Sequence, residues 1–179
     1  MPACGKSTSA RLLSKRLGLP EFNGGDVIKI IAKEKGYSPG GNDWWDTPDG
    51  IKLLKEREKN HELDQMADEK IREIIDKGSV IVTSYTAPWL VDNAFKIWLD
   101  ASYEVRAKRM AARDHISLAE AKRRIKSRDD GNKRLYKKLY NIKFGEDKLP
   151  FNMVVDVNSI STEEIVNLIM KKIKEIAWH

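Results

Sequence analysis

Cysteine is nearly absent from this sequence, since Cys4 is the only one among 179 residues. A single cysteine excludes an intrachain disulfide framework and a zinc site built from several thiolates. Histidine is equally sparse, and its positions 61, 115 and 179 are too far apart in sequence to predict a metal cluster. We therefore expect a hydrophobic core to stabilise the fold, and a reducing, cytoplasmic compartment is the expected location.

Long hydrophobic runs are also missing. No stretch approaches 18 consecutive apolar residues, so the sequence predicts no transmembrane helix. Residues 6–16 contain Lys and Arg rather than an apolar segment, which is not the pattern of a secretory signal. Charged residues make up 34% of the chain, yet the apolar share of 41% is enough for a folded protein. The length fits one domain over residues 1–179.

Positive charge is concentrated in one region of the chain. The net charge is +6, and residues 101–145 hold 14 Lys and Arg against 5 Asp and Glu, a local excess of nine. Such a basic segment indicates a partner that carries phosphate. The pattern alone leaves open whether that partner is a nucleotide, RNA or a membrane, or whether the region is a solvated helical surface.

Short apolar segments alternate with helical patterns, which is typical of an α/β protein with a parallel sheet. Strands are predicted at 80–82, 95–99 and 153–155, and a very short apolar segment is centred on Phe22. Helices are predicted at 6–17, 26–35 and 162–177, in a region that ends at Lys77, and throughout 101–145. A turn-rich loop that contains Trp44 and Trp45 is predicted for Tyr37–Gly50.

The segment Pro2-Ala-Cys-Gly-Lys-Ser-Thr8 carries the clearest chemical signal. It contains the second half of the phosphate-loop motif G-x-x-x-x-G-K-[ST], directly before a predicted helix. Free backbone N–H groups at a helix N-terminus bind phosphate oxygens. In this motif Lys6 reaches the β- and γ-phosphates, and the Ser7 hydroxyl is a ligand of Mg²⁺. The predicted phosphate-binding residues are Pro2, Ala3, Cys4, Gly5, Lys6, Ser7 and Thr8.

The first glycine of the motif and the strand that feeds it would lie before Met1. We therefore expect the native gene product to begin upstream, with about six to ten further residues that form a β-branched strand ending in glycine.

Nearly the whole chain resembles the nucleoside monophosphate kinases, and in particular the archaeal cytidylate kinases. The pieces that carry this resemblance are Pro2–Thr8, Asn23–Asp26, His61–Asp64 with Asp68, Phe95–Ala101 with Val105–Arg109, and Ser127–Asp129 with Lys133–Tyr136 and Tyr140–Ile142. The resemblance implies a three-layer, P-loop NTPase-type α/β fold around a parallel sheet of order 2-3-1-4-5. Central strand 1 of that sheet is missing from this chain.

The family also implies a division of the chain and a reaction. The core would comprise 1–25, 78–105 and 145–179, with helices that bind the acceptor at 26–77 and a helical lid at 106–144. The implied enzyme is a monomer that transfers a phosphoryl group from ATP, with Mg²⁺, to CMP or dCMP.

Residue roles follow from the same resemblance. Arg109 would lie against the donor base and Arg113 against the donor phosphates, while Arg128 and Arg134 would act with Lys6 in catalysis. Arginine suits this work because its planar guanidinium binds phosphate oxygens in pairs. The implied acceptor-binding residues are Gly25, Asp26, Lys29, Asp64, Asp68 and Tyr85.

Two departures from the family pattern leave the acceptor open. Lys29 stands where the family usually has arginine, and Thr83-Ser-Tyr85 stands where it usually has E-G-R. The alternatives are a kinase for AMP or UMP, a non-catalytic phosphate-loop protein, or an RNA-binding protein that uses Tyr136 and Tyr140 with the basic residues beside them. The four arginines just assigned roles, Arg109, Arg113, Arg128 and Arg134, also have a purely structural interpretation, as partners of Asp114, Asp129 and Asp130 on exposed helices.

Overall fold

The structure, a computed structural model, describes residues 1–39, 48, 49, 52 and 61–177. Two compact units divide the chain. The first unit consists of Met1–Gly18 and Ala94–His179, and the second unit consists of Leu19–Asn93. The tryptophans Trp44 and Trp45, and most of the predicted turn-rich loop, lie outside the described residues.

Helices and short strands alternate along the chain, as the sequence predicts. The elements are α1 (Lys6–Leu17), β1 (Glu21–Asn23), α2 (Gly24–Glu34), α3 (Glu62–Asp76), β2 (Ile81–Thr83), α4 (Ala87–Leu90), β3 (Ile97–Asp100), α5 (Tyr103–Asp114), α6 (Leu118–Tyr140), β4 (Met153–Asp156) and α7 (Thr162–Ala177). No helix within the described part of the chain has both the length and the apolar character needed to cross a membrane.

All described strand pairs are parallel, which confirms the predicted sheet type. In the second unit β1 pairs with β2, and Phe22 lies opposite Val82. In the first unit β3 pairs with β4, and Trp98 lies opposite Val154. Because the carboxyl ends of parallel strands share one edge, Asn23 and Thr83 end together, as do Asp100 and Asp156.

In the first unit, α5 and α6 pack through a narrow apolar seam. Ala107 and Met110 from α5 meet Ala121 and Ile125 from α6, and all four are almost fully buried. The same stripe of α6 continues one turn later with Asp129 and ends at buried Tyr136. The sequence pattern of 113–136 predicts short capped helices, and this prediction is wrong, because the buried stripe holds most of the segment in one helix of 23 residues.

Aromatic rings extend this core toward the strands. The Tyr136 ring packs edge to face against Phe144 at 5.3 Å, and Phe144 in turn contacts Trp98 of β3 at 6.1 Å. Phe151 also packs edge to face against Trp98, with ring centroids 5.1 Å apart. Edge-to-face pairs of this kind contribute about 0.5–1.5 kcal/mol beyond the area that they bury.

In the second unit, α2, α3 and α4 bury one apolar cluster. Its buried members are Val27, Ile28, Ile31, Ala32, Leu63, Ala67, Ile71, Ile75, Ala87 and Val91. The sequence spacing predicts an apolar stripe of Leu63, Ala67, Ile71 and Ile74 on α3, but Ile75 is the buried residue and Ile74 is only partly buried against the cluster. The spacing of four from Ile71 to Ile75 continues the spacing of Leu63, Ala67 and Ile71.

Helix ends follow the local sequence. Gly18 ends α1 in the left-handed conformation, with φ of 66°. Ser117 and Ser161 stand three residues before Glu120 and Glu164, a spacing that predicts capping boxes, and their hydroxyls accept the backbone N–H groups of those two glutamates. Helix α2 begins two residues earlier than predicted, because the Asn23 side chain caps it by accepting from the N–H groups of Gly25 and Asp26.

Candidate active site

The phosphate loop makes a tight turn into α1. Ala3 and Gly5 both adopt left-handed backbone conformations, with φ of 57° and 98°. Gly5 is the residue immediately before α1, and its carbonyl accepts the first helical hydrogen bond from the Ser9 N–H at 3.0 Å. This positive φ is readily adopted by glycine, which explains why the motif needs glycine here.

The N-terminus of α1 differs from those of the other long helices in chemistry. Its first turn contains no acidic residue, and no side chain caps it. The other described helices of eight or more residues each carry Asp or Glu in their first turn. Helix N–H groups without a cap, together with the positive end of the helix dipole, provide an anion site.

Lys6 adds positive charge to this turn. Its ammonium donates to the Met1 carbonyl at 2.5 Å and lies 3.8 Å from the Cys4 sulfur. Burial raises the pKa of the Cys4 thiol, but nearby positive charges, chiefly the Lys6 ammonium, outweigh burial and leave that pKa below its ordinary value. Cys4 itself is 1% exposed, so it fills space inside the loop.

Ser7 and Thr8 complete the loop in the first turn of α1. Both are exposed, whereas Pro2 is buried. In the described residues no group of three or more His, Cys, Asp or Glu side chains comes together to hold a metal. A hydroxyl such as that of Ser7 is the kind of single protein ligand that Mg²⁺ accepts when phosphates and water supply the rest.

The structure brings two of the predicted arginines together around Asp114. The Arg113 guanidinium forms two hydrogen bonds with the Asp114 carboxylate, at 2.6 and 3.0 Å. These bonds, with the charges of Arg128 and Arg124 nearby, hold the pKa of Asp114 below its usual range. Arg113 and Arg128 are exposed, so their guanidinium groups are accessible to a ligand.

Arg134 lies on a different face of α6. Arg134 follows Arg128 by six positions, so the two side chains point about 120° apart around an α-helix. Its charge acts on Lys126 and Asp130, which form their own ion pair at 2.7 Å. Arg109 is held elsewhere again, because its guanidinium donates to the Val157 carbonyl at 2.6 Å, just beyond β4.

Asp129 has a buried partner that the sequence interpretation did not assign. Its carboxylate receives two hydrogen bonds from Arg106 of α5, at 3.2 and 2.7 Å. The Arg106 and Asp129 side chains are 5% and 13% exposed. Ala3 of the phosphate loop packs against the adjoining α5–α6 seam. The loop and both helices are thus parts of one packed cluster.

The predicted acceptor residues lie in the second unit. Asp26 accepts from the Asn23 backbone N–H at 3.2 Å and from its side-chain amide, so it completes the cap of α2. Gly25 and Lys29 are partly exposed on the first turns of that helix, and Tyr85 is partly exposed after β2.

The other two predicted acceptor residues are carboxylates of α3. Asp64 and Asp68 lie one turn apart on this helix, where Asp64 is buried and Asp68 is half-buried.

Ser84 and Thr86 are polar residues of this region that the sequence interpretation missed. Thr86 is 2% exposed, and its hydroxyl donates to Asp68 Oδ1. Ser84 Oγ lies 3.2 Å from Thr86 Oγ1. The departure from E-G-R at Thr83-Ser-Tyr85 was the available signal for Ser84, whereas Thr86 lies just beyond that motif and had no signal of its own.

Comparison with known protein families identifies relatives over most of the chain. The sequence profile of the cytidylate kinase-like family matches residues 1–159. A curated cytidylate kinase of Pyrobaculum islandicum is 31% identical over 169 residues, which cover 93% of this chain and 85% of that protein. A cytidylate kinase of Sulfurisphaera tokodaii is 30% identical over 171 residues, covering 94% and 88%.

Comparison with solved structures agrees on the fold. The shikimate kinase of Aquifex aeolicus superposes with a TM-score of 0.56 at 18% identity, over 98% of this chain and 93% of that one. This likeness places the chain in the α/β kinase fold.

Proposed function

Because the chain belongs to the cytidylate kinase-like family, we propose that it transfers the γ-phosphoryl group of ATP to CMP or dCMP, giving ADP and CDP or dCDP. The observation that carries this proposal is the N-terminus of α1, where Gly5 and Lys6 combine with helix N–H groups in a turn that has no side-chain cap and no acidic residue. That turn has the chemistry of a phosphate site, and the family supplies the nucleotide.

Donor binding uses the loop from Pro2 to Thr8. Backbone N–H groups bind phosphate oxygens, and Lys6 exchanges its contact with the Met1 carbonyl for the β- and γ-phosphates. The exposed Ser7 hydroxyl would hold the Mg²⁺ that accompanies ATP, and the ion would supply charge neutralisation there. Phosphoryl transfer needs little covalent work from the protein, so positioning and neutralisation of charge supply the catalysis.

The basic helices α5 and α6 belong to the proposed lid. Arg113 contacts the donor phosphates, Arg109 lies against the donor base, and Arg128 and Arg134 neutralise the transferring phosphoryl group. The exposure of Arg113 and Arg128 beside each other supports this assignment. Arg134 faces elsewhere in this conformation, so its role requires a rearrangement of α6.

The acceptor lies against the second unit in this proposal. Asp64 and Asp68 accept hydrogen bonds from the exocyclic amino group of the base, while Lys29, Tyr85 and the N-terminus of α2 at Gly25 and Asp26 contact the rest of the nucleotide. Lys29 replaces arginine at its position, so it supplies charge without a bidentate fork.

The proposed sheet has the order 2-3-1-4-5. Strand 1 of that order is the missing one, so β1, β2, β3 and β4 of this chain correspond to its strands 2, 3, 4 and 5. The parallel pairs β1–β2 and β3–β4 are then the 2-3 and 4-5 neighbours that this order requires. RNA binding is not favoured, because Tyr136 is 5% exposed and packs on Phe144 instead of offering its ring to a base.

A transfer assay tests the function. The protein with ATP and Mg²⁺ is offered CMP, dCMP, UMP and AMP, and ADP formation is measured for each. We expect turnover with CMP and dCMP, abolished by Lys6→Ala and retained by Lys15→Ala, an exposed residue near the other end of the same helix. Comparable turnover in Lys6→Ala and the parent, at equal thermal stability, would show that the loop is not catalytic.

A further inference from the structure

Three side chains of the second unit form a hydroxyl chain that ends on a carboxylate. Ser84 Oγ lies 3.2 Å from Thr86 Oγ1, and the Thr86 hydroxyl donates to Asp68 Oδ1. Asp68 belongs to α3, whereas Ser84 and Thr86 lie in the turn between β2 and α4. A second contact joins α3 to α4 itself, since Arg72 of α3 donates to the Leu90 carbonyl at 3.2 Å.

The direction of the hydrogen bonds in this hydroxyl chain, that is, which oxygen donates to which, follows from counting donors and acceptors. Ser84 Oγ accepts two backbone N–H groups, those of Thr86 and Ala87, each at 3.1 Å. A hydroxyl has two acceptor lone pairs and one proton, so Ser84 can bond to Thr86 only as a donor. The Thr86 proton is then left for Asp68, which accepts it as a carboxylate.

Burial makes this direction costly to reverse. Thr86 is 2% exposed, so water cannot replace either of its hydrogen bonds without opening the packing around it. Asp68 is half-buried, so this residue lies partly within reach of solvent and of a ligand. An ionised carboxylate has about four acceptor sites and no donor, so it can accept hydrogen bonds from several partners at once.

We propose that Thr86, oriented by Ser84, is a positioning residue that fixes Asp68 as a hydrogen-bond acceptor and thereby selects acceptor bases with an exocyclic amino group over bases with a carbonyl at that position. This inference rests on the proposed function. Cytosine presents an amino group, which donates to Asp68. Uracil presents a carbonyl, and two acceptors that face each other repel. A site that hydrogen-bonds one group rejects a substrate lacking it far more strongly than an apolar pocket does.

Replacement of the hydroxyl tests the positioning role. We expect Thr86→Val, which keeps the shape of the side chain, to lower the ratio of kcat/KM for CMP to that for UMP by at least about tenfold. Thr86→Ser keeps the hydroxyl and should preserve most of the preference. Thr83→Val removes a threonine hydroxyl from the end of the neighbouring strand and serves as the matched control, with the ratio unchanged.

A second variant tests whether the Thr86 hydroxyl donates to residue 68, and it remains informative if Thr86→Val fails to fold. In Asp68→Asn the Thr86 proton holds the amide oxygen, which turns the amide NH₂ toward the base. A donor now faces the base, so we expect the preference to shift toward UMP.

The outcomes separate this inference from the proposed function. A parent protein that transfers phosphate to none of the nucleotides, and that gives no heat on titration with CMP, would overturn both. A parent that prefers CMP, together with an unchanged ratio in a folded Thr86→Val and no shift toward UMP in Asp68→Asn, would overturn the inference alone. Equal losses in Thr86→Ser and Thr86→Val would also overturn it, since the hydroxyl would then not be the cause.

Discussion

Arg128 is the residue at which catalytic and structural interpretations differ most clearly. It is exposed on α6, and its charge acts on Asp114 together with that of Arg113. In the proposed function the guanidinium exchanges this weak surface interaction for the transferring phosphoryl group. A surface interaction of that kind contributes about 0–1 kcal/mol, so loss of Arg128 should hardly change stability.

We expect Arg128→Ala to lower kcat by at least about 100-fold with a much smaller effect on the KM for ATP, because the contact strengthens in the transition state. Arg123→Ala is the matched control on the same helix, since Arg123 is exposed and paired with Glu120. Steady-state kinetics of both variants make the comparison. Near-normal kcat in Arg128→Ala would show that Arg128 is not catalytic and has only a structural role.

Asp100 offers a test at the level of one ionisable group. Hydrogen bonding to Lys148 at 2.5 Å lowers the pKa of this carboxyl, burial opposes that shift, and the Trp98 indole adds a further hydrogen bond at 3.2 Å. A depressed pKa in the folded state means that the stabilisation is complete above the unfolded value of about 3.9. It is lost as the pH falls below that value and through the folded pKa.

We therefore expect the difference in unfolding free energy between the parent and Asp100→Asn to shrink from pH 6 to pH 3. The side chain is 44% exposed, so the whole effect should stay below about 1 kcal/mol. Urea unfolding at the two pH values measures it, with Asp76→Asn as the control at an exposed carboxylate. A difference that grows on acidification would contradict the assignment.

At the scale of elements, the buried ion pair between α5 and α6 is the interaction with the largest expected effect on stability. Arg106 and Asp129 are joined by two hydrogen bonds with little exposure to water. The Arg106 Nε is buried without a hydrogen-bond partner, so the pair is not fully satisfied. Removal of one member leaves the other as a buried, unpaired charge, which costs about 3–5 kcal/mol.

We expect Asp129→Ala to lose about that amount of unfolding free energy, whereas the double variant Arg106→Met, Asp129→Leu should recover most of it. Glu120→Ala breaks an exposed pair on the same helix and should cost less than about 1 kcal/mol. Denaturant unfolding of the three variants decides the matter. Equal losses in the single and double variants would show that packing, and not charge pairing, holds the helices.

Elements whose ends are set by local signals could be predicted from the sequence, whereas an element held by tertiary packing, such as α6, could not be predicted in full. Helices α1 and α7 follow from Gly18 and from the Ser161 cap, which are local signals. The continuity of α6 does not, because its seam uses Asp129 as a buried position and a charged residue reads as exposed. The short helix α4 was missed because it has only four residues, and the hydroxyl that accepts the Thr86 and Ala87 N–H groups at its start comes from Ser84, outside the helix.

One part of the candidate site could be predicted from a sequence motif, whereas the other part depends on contacts between residues far apart in sequence. Gly5, Lys6 and Ser7 are contiguous, so their arrangement at the start of α1 follows from the motif. The contact of Thr86 with Asp68 joins residues 18 positions apart on separate elements, and no local pattern predicts it. The pairing of Arg106 with Asp129 spans 23 positions and is equally invisible to sequence periodicity.

For the whole molecule, the two units give the proposed function a spatial prediction. The phosphate loop and the basic helices belong to the first unit, and the proposed acceptor residues belong to the second. Each nucleotide should therefore stabilise the unit that binds it, because a ligand shifts the local opening equilibrium of the groups that it contacts. Amide hydrogen exchange resolves this effect along the chain.

We expect CMP alone to slow exchange within 61–93, and an ATP analogue with Mg²⁺ to slow it within 1–18. A bisubstrate analogue should slow exchange across 113–136 as well, because the phosphates offset the repulsion among Arg113, Arg128 and Arg134 and hold the proposed lid closed. Residues 162–177 serve as the internal control, since α7 carries none of the proposed contacts. Unchanged exchange across 113–136 with the bisubstrate analogue, in a protein that binds it, would contradict the lid and leave α6 as a basic helix fixed by the Arg106–Asp129 pair.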